Sequence, residues 1–322
     1  MPRLSVATAK AFLRRFRWYH AIGGSRKYLR YFYNRSRGIL NRHPVRNIPV
    51  MTLSDTIRTI IDNDLSLVRF GDGEVRMISG GRIGFQDQNK SLADRLRGIA
   101  TFDDPRILVG VPDTLRDQSK FVWPARVLIS NHVAKYADVY VSLFTSKQPY
   151  GNAYVTRPYM DYRDKTGAAE HFHAIKGLWR GRRVLIVEGE FTRFGVGNDL
   201  LEGAHSVSRI LCPSSNAFDF YDSILLAALE HSANTLVIGA LGPTAKVLCS
   251  DLSRHGRQAV DLGHLDIEYE WFMRGLSSKT AISGKSVNEV PGGRTSEACT
   301  VSSYLDSIIC TITPGSASPA TP

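Results

Sequence analysis

The chain has 322 residues, 43% of them hydrophobic and 22% charged, and a formal charge of +11. These are ordinary values for a globular protein with room for one large domain or two small ones. No run approaches the roughly 18 apolar residues of a membrane-spanning helix, and no apolar signal core is seen near the N-terminus, so no membrane-spanning helix is expected in these residues.

Cys212, Cys249, Cys299 and Cys310 lack metal-ligand spacing and read as free thiols of a reducing cytosol. The expected location is therefore cytoplasmic, at most at the inner face of the cell membrane. The charge is uneven. Residues 1–54 hold Lys10, Lys27 and ten arginines from Arg3 to Arg46, with no acid before Asp55, so this stretch is +12 and the rest is −1.

Residues 1–50 read as a basic arm. Phe12, Phe16, Trp18, Tyr19, Tyr28, Tyr31, Phe32 and Tyr33 are interleaved with its arginines. That mixture suits an anionic membrane surface or an acidic polymer, and equally a helical appendage that packs its aromatics on the main domain or a partner subunit. No nucleic-acid-binding motif accompanies it, so no nucleic acid is expected.

From Met51 the pattern is periodic. A helix over 52–61 carries Ile57, Ile60 and Ile61, with Ser54 or Asp55 as its cap. The strand Ser66–Phe70 stops at Gly71-Asp72-Gly73-Glu74. A helix over 91–101 and the strand Ile107–Val111 follow, then a helix over 123–136, a strand over 138–144 and an extended segment over 152–159. A helix over 165–179 leads to the strand Arg183–Gly189. Then come strand 207–212, helix 217–231, strand 235–241, helix 244–255 and strand 258–262.

This alternation predicts an α/β fold, a Rossmann-like, doubly wound and mainly parallel sheet with helices on both faces. Beyond Gly275 the composition turns to Ser, Thr, Gly and Pro without periodicity. Residues 51–275 are thus expected to form the main domain, and 276–322 a disordered tail.

In such a sheet the strands' C-terminal ends share one edge, where ligands bind. Three polar clusters fall there. In the first, Asp72 and Glu74 are two residues apart, and on an extended strand both would face one ion, Mg²⁺ or Mn²⁺, with Arg69 just before them as a candidate to bind the nucleotide donor. A solvated turn with a capping Asp is the plain alternative.

The second, residues 188–199, places Arg193, Gly195, Gly197, Asn198 and Asp199 in a loop suited to phosphate. The third, residues 261–271, sets His264 among Asp261, Asp266, Glu268 and Glu270, as metal ligand, general base or packed structural residue. Pro243 and Thr244 open a helix whose N-terminus could hold phosphate, although an N-terminal proline needs no ligand to explain it. Arg157 is a candidate partner for a phosphate or carboxylate. Ser214, Ser215 and Asn216 could contact a nucleobase or sugar, or serve as a cap.

Together, residues 69–74, 195–199, 242–245 and 261–271, in that order, resemble the GT-D-type glycosyltransferases, a bacterial, metal-dependent, Rossmann-like family with an Asp-x-Glu motif. The resemblance runs from about Leu53 to Phe272 and leaves out the arm and the tail. It implies transfer of a sugar from a nucleotide diphosphate sugar, a UDP-sugar, to a hydroxyl of a glycan or glycoconjugate acceptor, as in polysaccharide biosynthesis. It also implies that Asp72 and Glu74 bind the cation.

On this reading His264 is a further ligand or, with Asp266 as the alternative, the base that takes the acceptor proton, while Arg193 and the 195–199 loop hold the diphosphate. Two rival readings stay open at this point. One is another nucleotide-dependent phosphotransferase or metal-dependent hydrolase on the same fold. The other is a non-enzymatic module that binds anionic glycan or membrane through the arm.

Overall fold

Short apolar runs that end at glycine or proline become the strands of one sheet. The computed structural model describes residues 25–36 and 43–313. In chain order its helices are α1 (Ser25–Ser36), α2 (Leu53–Asp62), α3 (Asp72–Ile78), α4 (Lys90–Thr101), α5 (Trp123–Leu143), α6 (Ala168–Lys176), α7 (Tyr221–Leu229), α8 (Pro243–Arg254), α9 (Leu265–Met273) and α10 (Ser302–Ser307). The strands are β1 (Ser66–Arg69), β2 (Ile107–Val111), β3 (Gly151–Asn152), β4 (Arg183–Gly189), β5 (Ser206–Cys212), β6 (Leu236–Ala240), β7 (Ala259–Asp261) and β8 (Ile308–Thr311).

The chain divides into two units. One takes in the described parts of Met1–Ile48 with Thr114–Thr145 and Asp161–Arg163, and the other comprises Pro49–Asp113, Ser146–Met160 and the described residues from Asp164 onward.

The first unit is built on α1 and α5. Tyr28 and Tyr31, one helical turn apart, are buried beside Val127, and Tyr31 meets Trp123 edge-to-face at 5.1 Å. In α1, at least, part of the predicted arm packs its aromatics within a folded unit; residues 1–24 and 37–42 lie outside the described residues. The expected strand over 138–144 is instead the last two turns of α5. Its Val139-Tyr140-Val141 run has strand-like composition, but no breaker follows Pro124. The buried Val133, Tyr136, Ala137, Tyr140 and Leu143 recur at helical spacing.

The second unit is a sheet in the order β3-β2-β1-β7-β6-β4-β5-β8, with every pairing parallel. α2, α6 and α9 bury Ile57, Ile60, Phe172, Ile175, Leu265 and Trp271 in one core with Leu67, Val184, Ile186, Leu236 and Val260. α3, α4, α7 and α8 form the other helical layer. The result is the expected doubly wound α/β architecture. The cap of α2 is Thr52, whose Oγ1 accepts from the Asp55 N–H at 3.1 Å, rather than Ser54 or Asp55.

The predicted disordered tail is a correction as far as residue 313. Ile282 and Val287 are buried in the core, and β8 extends the sheet by pairing with β5. This segment has too few apolar residues to show a period; a few anchors and buried ions hold it instead. Among the described residues no helix is long and apolar enough to cross a membrane. The four cysteines are free.

Candidate active site

β1 and β7 are neighbours, yet the chain leaves β1 for β2 on one side and leaves β7 on a path to β8 at the opposite edge. Their C-terminal ends therefore flank a switch point, where an open parallel sheet forms a crevice. Arg69 closes the floor of it. Its guanidinium donates to the Asp261 carbonyl (2.7 Å), Asp261 Oδ1 (3.0 Å), the Gly263 carbonyl (2.9 Å), Thr156 Oγ1 (2.5 Å) and the Ala153 carbonyl (3.3 Å). With its donors directed at the protein, Arg69 is a clamp between β1, β7 and the 153–156 turn, not the donor-binding group expected from sequence.

Glu74 stands above this clamp. One oxygen, Oε2, accepts from the Gly71 N–H at 2.8 Å, which closes the first turn of α3. The other lies 3.1 Å from Lys246 Nζ, which is itself 3.1 Å from Asp261 Oδ2 and donates to the Gly242 carbonyl at 3.1 Å. Burial would lower the Lys246 ammonium, but Asp261 and Glu74 raise it above its ordinary value. Burial likewise pushes Asp261 up, and Arg69 and Lys246 hold it below the usual carboxylate range. Arg69, Asp261, Lys246 and Glu74 thus form a buried row of alternating charge.

Asp72 does not share the Glu74 direction. The helix begins at Asp72, so residues two apart are turned by roughly 200° instead of facing one way. Its side chain is 72% exposed, with Arg76 at 3.8 Å, whereas the Glu74 side chain is 9% exposed.

His264 occupies the β7–α9 junction with a left-handed backbone (φ 77°) and packs edge-to-face on Trp271. Its Nε2 makes no hydrogen bond and lies 3.8 Å from Glu268 Oε1 and 3.9 Å from Glu289 Oε1. Glu268 Oε2 accepts from the Tyr159 and Met160 N–H groups at 3.1 and 2.9 Å. Burial and the nearby Arg157 keep the His264 ring well below its ordinary value, so it is neutral at pH 7. Arg157 does find a carboxylate, but it is Glu289 of the same chain, which Lys279 also holds at 2.8 Å.

The 188–199 loop also turns inward. Arg193 (φ 51°) donates to the Gly284 carbonyl at 2.6 Å and to the Glu297 carbonyl. The Phe194 N–H donates to Glu188 Oε2 at 2.7 Å, and the Gly195 N–H is directed at Asp266. Gly195 and Gly197 have φ of 72° and 79°, and a Cβ on Gly195 would stand 2.5 Å from Leu201. Asn198 Nδ2 donates to Asp266 Oδ1 and Glu270 Oε1, both at 2.8 Å, while Asp199 pairs with Lys176 (2.9 Å) and Tyr269 Oη (2.6 Å). In place of a free phosphate cradle, the loop's donors meet the chain's own acceptors.

Asp266 is no free base either. Lys285 Nζ lies 2.7 Å from its Oδ2 and 3.0 Å from Glu270 Oε1. Burial raises its carboxyl despite that ammonium.

The α8 N-terminus is also covered. Pro243 and Thr244 are buried, and Phe85 packs so closely on Gly242 (φ 55°) that a Cβ there would meet it at 2.4 Å. Asn216 clamps the adjoining loop through the Phe85 carbonyl and the Asp87 N–H instead of standing free for a base or sugar.

Sequence reasoning missed Lys246, Lys279, Lys285 and Glu289. Lys246 did leave a signal, as the one charge in the first two turns of α8, four residues after Gly242. The other three lie in the segment read as tail.

Among the described residues no three His, Cys, Asp or Glu side chains converge to hold a metal, so His264 does not join Asp72 and Glu74 in a ready-made cage. Asp72 is the open carboxylate here, and Glu74 would join it on a hard cation of the Mg²⁺ type, which takes one or two carboxylates together with substrate phosphates, only by leaving the Gly71 N–H and Lys246.

A family model described as "Glycosyltransferase GT-D fold" matches residues 67–290, a span that includes Lys285 and Glu289. The probable glycosyl transferase Gly of Streptococcus gordonii is 38% identical over 252 residues, covering 76% of this chain and 36% of that protein. Glycosyltransferase GlyD of Streptococcus pneumoniae serotype 4 is 38% identical over 247 residues, covering 76% and 30%. The chain therefore spans about a third of the length of these curated relatives. A solved structure of the conserved domain of unknown function 1792, described as a distinct glycosyltransferase fold, superposes with a TM-score of 0.81 at 37% identity, covering 86% of this chain and 99% of that one. A glycosyltransferase from Streptococcus sanguinis gives 0.78 at 36% identity, covering 83% and 100%.

Proposed function

The chain belongs to the GT-D-fold glycosyltransferase family, and from that premise we propose that it moves a sugar from a nucleotide diphosphate sugar, a UDP-sugar, to a hydroxyl of a glycan or glycoconjugate acceptor in polysaccharide biosynthesis. The observation that carries this reading is the exposed Asp72 beside the buried row Glu74–Lys246–Asp261–Arg69 at the β1/β7 switch point. Family membership sets aside the phosphotransferase, hydrolase and purely binding readings.

Asp72 and Glu74 would hold Mn²⁺ or Mg²⁺ with the donor's phosphates, and the cation would offset the charge of the departing diphosphate. Glu74 would turn toward it by giving up the Gly71 N–H and Lys246, and Lys246 would keep Asp261 and the Gly242 carbonyl as partners. Arg69 fixes β7 against β1, so Gly263 and His264 stay in place.

His264 is the base. Its ring is neutral and its Nε2 has no hydrogen bond to break before it accepts the acceptor hydroxyl's proton. Because the His264 value lies well below its ordinary one, activity stays level as pH falls through about 6.5 and drops only in more acidic solution.

A thermal-shift panel of UDP-, GDP-, dTDP- and CMP-sugars, each with and without Mn²⁺, tests the donor assignment. A UDP-sugar with Mn²⁺ raises Tm, since a ligand bound only by the native state stabilises it by about 2.7 kcal/mol at a hundred times its Kd. If no sugar nucleotide shifts Tm under either condition, the reading is wrong.

A further inference from the structure

The two units carry opposite charge. Residues 1–48 hold twelve cations and no acid, and residues 114–145 add a net two; with 161–163 neutral, these stretches total +14, leaving −3 for the rest. Within the described part the excess is displayed, not neutralised. α1 has no acidic residue, and Arg26, Lys27, Arg30 and Arg35 are all exposed. Among the described residues none of the four meets a carboxylate.

The helix docks through Tyr28 and Tyr31, which leaves Arg26, Arg30 and Tyr33 in a row at i, i+4 and i+7 on another face. Large apolar side chains are exposed in the same helix pair: Tyr33 at 52%, Trp123 at 38% and Leu128 at 52%. Phe32 and Leu29 are only partly covered.

We infer that the α1–α5 face is a docking surface for a bilayer bearing anionic lipid. Charge complementarity supplies the attraction, and exposed Tyr, Trp and Leu beside arginine are the side chains that enter the headgroup boundary. An acidic polymer would use the cations but would gain nothing from Leu128, so lipid is the better fit. This inference does not depend on the transfer reaction.

The test is sedimentation of the full chain with vesicles of phosphatidylcholine alone or mixed with phosphatidylglycerol, across a salt series, with a soluble polyanion as competitor. The chain partitions onto the anionic vesicles only, and less so as salt rises. Each cation near such a surface is worth about fivefold, so Arg26→Glu with Arg30→Glu weakens partition by at least about 25-fold, with circular dichroism unchanged. Tyr33→Ser, which keeps every charge, weakens it by less and makes the remaining binding more salt-sensitive. The inference is overturned by equal partition onto both vesicle types, by double-variant binding at the native level, or by capture on the polyanion with none on vesicles.

Discussion

Two buried ion networks stabilise the sheet unit, and they differ in what they leave available. At β1 and β7, Arg69, Asp261, Lys246 and Glu74 alternate in sign, and the row ends beside Asp72, which faces solvent. At α9, Asp266 and Glu270 share Lys285 and Asn198, and Arg274 completes Glu270. The first network joins two adjacent strand ends across a crevice. The second staples residue 198 to residue 285 and uses up its carboxylates on the way. The two networks are therefore not equivalent: the row that ends at an open carboxylate, Asp72, is placed to do chemistry, and the one whose carboxylates are all matched inside the protein holds loops together.

The largest stability effect expected from this contrast is at Lys246. Lys246→Ala leaves Glu74 and Asp261 buried without their shared cation and costs about 3–5 kcal/mol, read as a fall in the urea midpoint. Lys285→Ala costs less, about 2 kcal/mol, because Asn198 remains for Asp266 and Arg274 for Glu270. Equal losses at the two lysines would erase the distinction.

The pH dependence should separate Asp261 from Asp266 by sign, while Glu270, also lowered, follows Asp261. Asp261 is held below its unfolded value of about 3.9, so its contribution is present at neutral pH and is lost as pH falls through the folded value. Asp266 is raised, so its contribution is present below about pH 3.9 and is lost as pH rises through the folded value. In Tm measured against pH, Asp261→Asn flattens the acid limb, whereas Asp266→Asn removes a term that favours acid. Shifts of the same sign in both variants would contradict the assignment. The smallest effect is at Asp72: Asp72→Asn changes stability by no more than about 0.5 kcal/mol, although on the proposed reading it lowers transfer supported by the cation.

Much of this was readable beforehand. The parallel sheet followed from apolar runs closed by glycine or proline, and the edge of interest from Gly71-Asp72-Gly73-Glu74 at the end of β1. The direction of the carboxylates was not readable, because the same residues fit a strand end or a helix start and only the helix turns Asp72 away from Glu74. The partners of Arg69, Arg193 and Asp266 were hidden for another reason. They are mostly main-chain carbonyls, with the side chains of Asp261, Thr156, Asn198 and Lys285, as far as 194 residues away, and such contacts leave no local pattern. Val139-Tyr140-Val141 misled through composition, and the 276–313 segment through its lack of it.

The most direct test of the proposed reading is a side-by-side assay of sugar transfer in the presence of Mn²⁺ by Glu74→Gln and Asp266→Asn, each compared with the unmodified chain at equal folded fraction. The account predicts at least a 100-fold loss for Glu74→Gln, on the order of removing one electrostatic group from a reaction centre, and a change within about threefold for Asp266→Asn. Full activity in Glu74→Gln, or a 100-fold loss in Asp266→Asn alone, would contradict it.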